Sequence, residues 1–340
     1  MELFKKFLKI IFRVFIAFAL IFSAAVLWSL WKIPVKEPKA FGVTYVDWIS
    51  EKYGMDKREV YLKILDDLGA KNIRLPIYWN KVELADDIFN FDEIDWQLAE
   101  AEKRGAKIVL NIGRKVPRWP ECHQPKWVVD KKDDNFEKKE LLEFLEISVE
   151  RYKDHPALYA WQVENEPFLS FGENCPLFGG EFFDEEIALV KSLDSNHPVM
   201  VTDSGELSLW LRAQKRGDIF GTTMYLTVWT QSLGYYTYPF PPSFFRVKRA
   251  LSELLGENKP SIVVELQTEP WGPDENYRPE KYPIPDQWAA FNDMTFNKHI
   301  NYATRTGFDE FYLWGVEWWY WMTTQGHPEV WNEAKQLFNE

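Results

Sequence analysis

Residues 56–79, DKREVYLKILDDLGAKNIRLPIYW, contain one helix followed by one strand. Apolar side chains recur at helical spacing over 56–70, and Gly69 near the end of that run is typical of a helix C-terminus. Residues 71–79 then form a short apolar run that is typical of a strand. This helix–strand unit is repeated through most of the chain.

Short apolar runs alternate with longer amphipathic segments from Ala40 onward. The other predicted strands are 41–48, 107–113, 157–165, 198–205, 218–226, 260–266 and 309–316. The other predicted helices are 92–106, 137–153, 183–194, 207–215, 244–256, 286–307 and 328–339. Alternation of this kind implies a parallel sheet, and eight such units in about 300 residues are the expected size of a (β/α)8 TIM barrel.

A doubly wound sheet is the rival α/β architecture. It would normally carry a Gly-rich phosphate-binding turn after its first strand, and the sequence DWIS at 47–50 is nothing like one. We therefore predict a single (β/α)8 domain over residues 36–340.

The first 35 residues are predicted to lie outside that barrel. Four basic residues come first: Lys5, Lys6, Lys9 and Arg13. The uncharged run 14–31 that follows is about the minimum length that spans a bilayer as a helix. We expect residues 1–35 to be an uncleaved transmembrane anchor with the barrel on the extracytoplasmic side. A cleavable signal peptide and a secreted barrel are the alternative.

The composition favours a neutral partner. The net charge is -12, which argues against nucleic acid because nucleic-acid binding needs a basic surface. Aromatic residues make up 17% of the chain and include 17 Trp. Since Trp and Tyr combine an apolar face with a polar group, this excess indicates either a lined binding cleft or unusually aromatic packing.

The two cysteines, Cys122 and Cys175, fall in the predicted loops after the third and fourth strands. These loops are neighbours on one face of a barrel. In an oxidising compartment a disulfide between them is expected.

The strand ends identify the candidate site, because active sites of TIM barrels lie at the C-terminal ends of the strands. The residues that end the predicted strands are Asp47, Arg74, Trp79, Asn111, Asn165, Glu166, Asp203, Tyr225, Glu265 and Trp314. Glu166 in WQVENEP and Glu265 are three strand–helix steps apart, so they face each other across the barrel. Two opposed carboxyl groups are what glycoside hydrolysis requires.

The sequence contains no pattern typical of a metal site or of a phosphate-binding site. The five histidines are scattered, none ends a predicted strand, and no pair has metal-ligand spacing. The sequence also lacks a Gly-rich phosphate loop, and Ser204-Gly205 does not form a nucleophile elbow. We therefore predict neither a metal nor a cofactor.

The pattern resembles clan A of the glycoside hydrolases, which are retaining β-glycosidases built on this barrel. The resemblance is carried by Asn165-Glu166-Pro167 at the end of strand four and by Glu265 in SIVVELQ at the end of strand seven. It covers roughly residues 40–340. It implies that Glu166 is the acid/base and that Glu265 is the nucleophile.

Two families of the clan are similar to this chain. Arg74, Tyr225 and Trp314 match the cellulase-like family, whose usual histidines are replaced here by residues 111–113 and 223–224. The segments WQVENE and VVELQTEPWGP look more like the β-galactosidase families. The sequence predicts the clan and leaves the family open.

The two glutamates need different environments. A general acid requires a raised pKa, and the charge of Glu265 across the cleft would raise that of Glu166. Arg74 and Tyr225 would keep Glu265 ionised by charge and by hydrogen bonding. Glu269, four residues further on, is a second candidate for the nucleophile.

The remaining candidates are assigned to substrate binding, together with Arg74 and Tyr225. Asn165 would bond the 2-hydroxyl of the sugar, and Trp314 would form an apolar floor beneath the reacting ring. Asn111, Trp79 and Trp229 are further expected contacts.

We therefore expect a retaining hydrolase that cleaves β-glycosidic bonds of neutral oligo- or polysaccharides by double displacement. Two alternatives remain. One is a non-catalytic carbohydrate-binding envelope protein on the same barrel, and the other is a transglycosylase that uses the same two carboxylates.

Overall fold

The computed structural model describes residues 2–31, 38–272 and 279–339. Its centre is a closed barrel of eight parallel strands in sequence order. The strands are β1 Ala40–Thr44, β2 Asn72–Pro76, β3 Lys107–Ile112, β4 Leu158–Val163, β5 Val199–Asp203, β6 Ile219–Met224, β7 Ser261–Gln267 and β8 Glu310–Trp314. Pairing of β8 with β1 closes the barrel. The predicted (β/α)8 fold is confirmed.

One helix precedes β1, and the other helices follow the strands and surround the barrel. In chain order the helices are α1 Glu2–Trp31, α2 Asp47–Lys52, α3 Lys57–Asp66, α4 Trp79–Val82, α5 Asp92–Lys103, α6 Lys126–Val129, α7 Asp134–Tyr152, α8 Gly180–Leu193, α9 Leu211–Gln214, α10 Pro242–Leu255, α11 Ile284–Ala290, α12 Asp293–Thr304, α13 Val316–Thr324 and α14 Glu329–Asn339. Two antiparallel hairpins lie in the loops, Glu83–Ala85 with Ile88–Phe89 and Thr227–Thr230 with Gly234–Thr237.

Three clusters of buried apolar residues lie in the described part of the chain, and two of them include strands of the barrel. One consists of strand residues alone and so fills the barrel interior: Val109, Ala160, Met200, Ile219, Ile262, Val264 and Tyr312. The larger cluster contains residues of both strands and helices and therefore lies between the two layers. Burial of these alternating faces is what fixes the strand register.

The helices near the C-terminus differ from the prediction. Residues 286–307 were expected to form one helix, but α11 ends at Ala290 and α12 begins at Asp293. The cause is local, because the Asn292 side chain accepts a hydrogen bond from the Thr295 backbone N–H and caps a new helix. The aromatic segment after β8 forms α13, whose Trp318 and Trp319 are completely buried.

The loops after β3 and β4 are joined covalently. Cys122 and Cys175 form a disulfide with a Cα–Cα distance of 5.4 Å. The predicted pairing is confirmed.

The N-terminal segment contains the helix α1. No helix within the described residues is long and apolar enough to cross a membrane, so the predicted transmembrane anchor is not confirmed. The predicted boundary between 1–35 and 36–340 falls in 32–37, outside the described residues.

Candidate active site

Five of the predicted site residues meet at the C-terminal end of the barrel. Arg74 lies in β2, Asn165 and Glu166 follow β4, Tyr225 follows β6, and Glu265 lies in β7. All of them are connected by hydrogen bonds or by charge. The site therefore forms where the strand ends were expected to place it.

Glu265 is held by two donors. Arg74 Nη1 lies 2.8 Å from its Oε1, and the Tyr225 hydroxyl donates to its Oε2 over 2.8 Å. Because arginine stays protonated in proteins, this pairing favours the ionised carboxylate. Burial, and then the charge of Glu265, raises the pKa of the Tyr225 phenol well above its usual value, so Tyr225 remains a hydrogen-bond donor.

Glu269, the second candidate for the nucleophile, is bound elsewhere. Its carboxylate pairs with the guanidinium of Arg118, in the loop after β3. It does not share the pairing with Arg74 and Tyr225 that surrounds Glu265. The geometry therefore favours Glu265.

The surroundings of Glu166 differ from those of Glu265, because they favour the protonated form. The residue is 7% exposed, and the Thr223 hydroxyl donates to its Oε1 over 3.0 Å. Burial, followed by the negative charge of Glu265, raises the pKa of Glu166 well above its usual value. The backbone there is left-handed, with φ 46°, and the Glu166 N–H donates to Thr202 Oγ1 over 2.9 Å. The site thus contains one carboxyl group biased to the acid form and one to the anion.

Asn165 is oriented through its side-chain oxygen. Arg74 Nη2 donates to Asn165 Oδ1 over 2.8 Å, and Gln162 Nε2 donates to the same oxygen over 3.3 Å. Arg74 Nε in turn donates to Gln162 Oε1 over 2.7 Å. Since the oxygen is occupied, the amide NH2 group is the part of Asn165 that can meet other groups.

Glu164, the other glutamate of WQVENEP, fixes a loop. Its carboxylate accepts hydrogen bonds from the backbone N–H groups of Arg114 and Lys115 over 2.9 and 2.7 Å. It also hydrogen-bonds the Glu186 carboxyl group of α8, and burial raises the pKa of both. Glu164 therefore joins the loop after β3 to the end of β4.

Trp314 is only partly available as a sugar floor. The residue is 7% exposed, and the Arg118 guanidinium lies 4.1 Å from its ring centroid. Arg118 is itself anchored by Glu269 and Glu317. One face of the indole is thus covered by a cation, and only a small part of the residue is exposed to a ligand.

Three expected substrate contacts lie outside the cluster. Trp79 is completely buried and donates to Glu83 Oε2 over 2.6 Å, so its assignment to substrate binding is wrong. Asn111 is also completely buried, and its Nδ2 donates to the Gln162 carbonyl over 3.1 Å. It supports the backbone of β4 instead of reaching a ligand. Trp229 lies half-buried in the hairpin after β6, and its contact with sugar stays a prediction.

Four residues of the site were missed from the sequence. Thr202 and Thr223 bond Glu166, and Lys115 Nζ donates to the Glu166 carbonyl over 3.0 Å. Glu121, in the loop after β3, is buried, which raises its pKa to about 7, and the charge of Glu265 adds to this rise. Thr223 could have been noticed near the end of strand six, whereas loop residues such as Glu121 carry no periodic signal.

Metal ligation has no candidate in the described parts of the chain, where no group of three or more His, Cys, Asp or Glu side chains has suitable geometry. His123, in the loop after β3, is buried, which lowers its pKa to about 4. Its Nε2 lies 3.0 Å from the Arg118 carbonyl. The histidine therefore supports the loop that carries Arg118.

Comparison with known proteins agrees with this geometry. A sequence model of the cellulase family, glycosyl hydrolase family 5, matches residues 33–307. A segment of 124 residues, 33% of the chain, is 27% identical to a probable mannan endo-1,4-beta-mannosidase F of Aspergillus flavus and spans 25% of that relative. A segment of 122 residues is 27% identical to a probable mannan endo-1,4-beta-mannosidase A-1 of Aspergillus terreus and spans 30% of it.

Solved structures share the fold at low sequence identity. A beta-galactosidase from Bacillus circulans sp. alkalophilus superposes with a TM-score of 0.61 at 14% identity, over 91% of this chain and 56% of that one. A GH5_18 protein from Bifidobacterium longum subsp. longum gives a TM-score of 0.60 at 12% identity, over 82% of this chain and 70% of that one. At these identities the likeness shows the fold alone.

Proposed function

The chain belongs to the cellulase family, glycosyl hydrolase family 5, and we propose that it hydrolyses β-glycosidic bonds of neutral saccharides with retention of configuration. One observation carries the proposal. Two buried glutamates share the site, and their surroundings bias Glu265 to the anion and Glu166 to the acid. Opposed biases of this kind are how paired carboxyl groups divide acid and base roles.

In the first step the acid and the nucleophile act together. The Glu166 carboxyl group donates its proton to the glycosidic oxygen while that oxygen leaves the anomeric carbon. The Glu265 carboxylate attacks the same carbon from the opposite side and forms a glycosyl ester. Arg74 and Tyr225 hold the carboxylate for this attack through the two 2.8 Å contacts.

In the second step Glu166 changes its role. Once Glu265 is esterified, its negative charge is lost, and the pKa of Glu166 falls because that charge had helped to raise it. The Glu166 carboxylate then takes a proton from water. The water oxygen attacks the anomeric carbon, the ester bond breaks, and Glu265 is released as the carboxylate.

The other side chains assist from fixed positions. The Asn165 side-chain oxygen accepts a hydrogen bond from Arg74, so its NH2 group would donate to the sugar 2-hydroxyl. This interaction strengthens in the transition state. The exposed part of Trp314 and the half-buried Trp229 would supply apolar contact to the rings.

β-1,4-linked mannosides are the first substrates that we propose. The matched relatives are named as mannan endo-1,4-beta-mannosidases, although the chain spans only about a quarter to a third of their length. One related structure is a GH5_18 variant in complex with Manb1-4GlcNAc. A neutral glycan also suits a protein with a net charge of -12, which would repel polyanions.

Hydrolysis of aryl β-glycosides by single variants tests the mechanism. With a dinitrophenyl leaving group, Glu166→Ala should still form the glycosyl ester, because that leaving group needs no acid. Turnover should then stall and be restored by azide, which attacks without a general base. Glu265→Gln should show neither turnover nor rescue, and the exposed Glu173→Gln serves as the matched control.

The remaining outcomes separate the alternatives. Activity that survives in both variants would remove the two glutamates from the mechanism. Binding of glycans without hydrolysis by the unmodified protein would identify a non-catalytic receptor. Larger products formed in the presence of acceptor sugars would identify a transglycosylase.

We also propose that the barrel acts outside the cytoplasm. Disulfides persist in oxidising compartments and are rare in reduced ones, and the Cys122–Cys175 bond supports an exported domain. Thiol labelling of protein taken directly from intact cells tests this location. Two labelled cysteines would contradict it.

A further inference from the structure

Arg118 forms a charged bridge across the mouth of the barrel. It lies in the loop after β3, and its guanidinium pairs with Glu269, just after the end of β7. Its Nη2 also donates to Oε2 of Glu317, in the first turn of α13, over 3.2 Å. In a closed barrel of eight strands in sequence order, β3 and β7 lie on opposite sides. We call these three residues the Arg118 bridge.

Both acidic members of the Arg118 bridge are buried and held in place. Glu317 is completely buried, and its Oε1 accepts a hydrogen bond from the backbone N–H of Val46, just after β1. Glu269 packs against Gly315, which has a φ of 117° and where a Cβ would lie 2.5 Å from the Glu269 Cβ. Glycine permits this close approach. The bridge therefore joins the loop after β3 to the segments that follow β7, β8 and β1.

The loop that carries Arg118 is anchored as well. The Arg118 carbonyl accepts a hydrogen bond from the Glu121 N–H over 2.9 Å and lies 3.0 Å from Nε2 of His123. The Tyr78 hydroxyl, after β2, donates to the carbonyl of Pro117 over 2.8 Å. These contacts hold the backbone from which the Arg118 side chain extends over the barrel.

The Arg118 bridge lies on the side of the barrel mouth opposite Glu166. Glu166 follows β4, and β8 is the strand across the barrel from β4. Trp314 ends β8, and the Arg118 guanidinium lies 4.1 Å from its ring centroid. Glu317 comes three residues after Trp314. A ligand that extends from Glu166 toward Trp314 therefore meets the bridge at its far end.

Little of the proposed site is open to solvent. Glu166, Glu265 and Trp314 are 7%, 4% and 7% exposed, respectively. The Arg118 side chain above Trp314 is 14% exposed. A site that cleaves inside a polysaccharide must accommodate sugar units on both sides of the catalytic pair. The small exposed areas indicate a pocket that is closed on the side of the bridge.

We propose that the Arg118 bridge is the end wall of the site and restricts hydrolysis to the terminal sugar at the non-reducing end of a β-linked chain. Each turnover adds water across the last glycosidic bond and yields one monosaccharide and a chain that is one unit shorter. The inference rests on the proposed glycosidase function. It makes Arg118, Glu269 and Glu317 specificity-determining residues and gives them no part in proton transfer or bond formation.

The orientation of the sugar follows from the position of the acid. The oxygen on C1 of the reacting sugar must lie against Glu166, which protonates it. C4 lies across a pyranose ring from C1, so the 4-hydroxyl points away from Glu166, toward Trp314 and the Arg118 bridge. A β-1,4-linked chain continues toward its non-reducing end through that 4-oxygen. The bridge leaves no path for a further sugar there, whereas the leaving group departs on the side of Glu166.

The products from β-1,4-mannohexaose labelled at its reducing end test the end wall. The unmodified protein should release unlabelled mannose first, and the labelled chain should shorten by one unit at a time. With an aryl β-mannobioside, mannose should appear before the free aryl group, and intact mannobiose should not be released. Early accumulation of labelled mannobiose and mannotriose from the hexaose would show internal cleavage and overturn the inference.

Arg118→Ala tests whether the bridge is the wall. Because the variant removes a steric barrier, the ratio of internal to terminal cleavage should rise at least about tenfold, while kcat/KM on an aryl β-mannoside should change less than about fivefold. Glu269→Gln, which keeps the size of the side chain and weakens the ion pair, should change the ratio in the same direction by less. A product pattern that stays terminal in both variants would overturn the inference.

Arg151→Ala is the matched control for these variants. It removes an exposed ion pair with Asp95 in the helix layer, outside the barrel mouth. Its product pattern should be that of the unmodified protein. Thermal unfolding of each variant shows that the change in products comes from a folded enzyme, and Glu269→Gln carries the test if Arg118→Ala does not fold.

A measurement without turnover separates the inference from the proposed function. Calorimetry with the Glu265→Gln variant compares methyl β-mannoside with its 4-O-methyl ether. The wall should weaken binding of the ether at least about tenfold, and the added substitution Arg118→Ala should reduce this difference.

The outcomes of the calorimetry are distinct. Equal affinities would overturn the inference even if hydrolysis is found. Weaker binding of the ether by a protein that hydrolyses no β-glycoside would support the wall and refute the proposed function. Failure to bind either glycoside, together with absence of hydrolysis, would overturn both.

Discussion

Arg74 and Glu265 form an ion pair that is closed off from solvent. The distance from Nη1 to Oε1 is 2.8 Å, and the two side chains are 0% and 6% exposed. Burial of two charges costs free energy that their attraction often fails to return. The proposed mechanism gives the pair a chemical reason, since it would hold the Glu265 carboxylate in place for attack inside a buried site.

Arg74→Met should destabilise the protein and abolish turnover. The substitution leaves the Glu265 charge buried without its partner, which costs about 3–5 kcal/mol in the free energy of unfolding. Urea unfolding at pH 7 measures the loss. The double variant Arg74→Met with Glu265→Gln should recover part of it, because the unpaired charge is gone. A single variant as stable as the unmodified protein would contradict the assignment.

Tyr225→Phe should affect activity far more than stability. It removes the 2.8 Å hydrogen bond to Glu265 Oε2 and keeps the edge-on packing against Trp271. A hydrogen bond to a charged group contributes about 1.5–3 kcal/mol, so kcat/KM should fall roughly 10- to 100-fold. Tyr159→Phe is the matched control, because Tyr159 lies at the N-terminal end of β4 and therefore at the other end of the barrel. This variant should behave like the unmodified enzyme.

Thr223→Val should shift the pH profile of activity to higher pH. The Thr223 hydroxyl bonds Glu166 Oε1 over 3.0 Å and lowers the pKa of that group. Loss of the bond leaves a higher pKa, so the basic limb of kcat/KM should move to higher pH by about half a unit to one unit. The exposed Thr324→Val controls for the change of side chain. A shift to lower pH would refute the hydrogen-bond geometry.

The barrel could be predicted because its signal is periodic. Each strand is a short apolar run buried on both faces, and each of the eight runs was located within a few residues of its observed ends. The candidate pair Glu166 and Glu265 followed from this placement, since the two residues lie at or near the C-terminal ends of β4 and β7. The position of a strand end follows from the repeated strand–helix unit and does not depend on the conformation of the loops.

The loops could not be predicted in the same way. Trp79 follows β2 on the chain, but it turns into the helix layer, where it stacks on Phe144 and bonds Glu83. Glu121 reaches the site through a left-handed backbone conformation and contacts with the next loop. Such positions depend on tertiary packing, which produces no periodic pattern in the sequence.

The disulfide should stabilise the loop that carries Glu121. Cys122 and Cys175 are 53 residues apart, and a crosslink of that span contributes at most about 4 kcal/mol by restricting the unfolded chain. Dithiothreitol should therefore lower the Tm of the unmodified protein and decrease its kcat. The double variant Cys122→Ser with Cys175→Ser should show both losses and no response to the reductant. An equal response of both proteins would contradict this prediction.

The most direct measurement is mass spectrometry of the protein trapped with 2-deoxy-2-fluoro-β-mannosyl fluoride. The fluorine slows hydrolysis of the glycosyl ester, so the ester accumulates and can be located in a proteolytic peptide. We predict one sugar on Glu265, in the peptide that contains residues 261–267, and no label in Glu265→Gln. A sugar found on Glu166 or Glu269, or steady release of fluoride without any covalent intermediate, would contradict the two-glutamate mechanism.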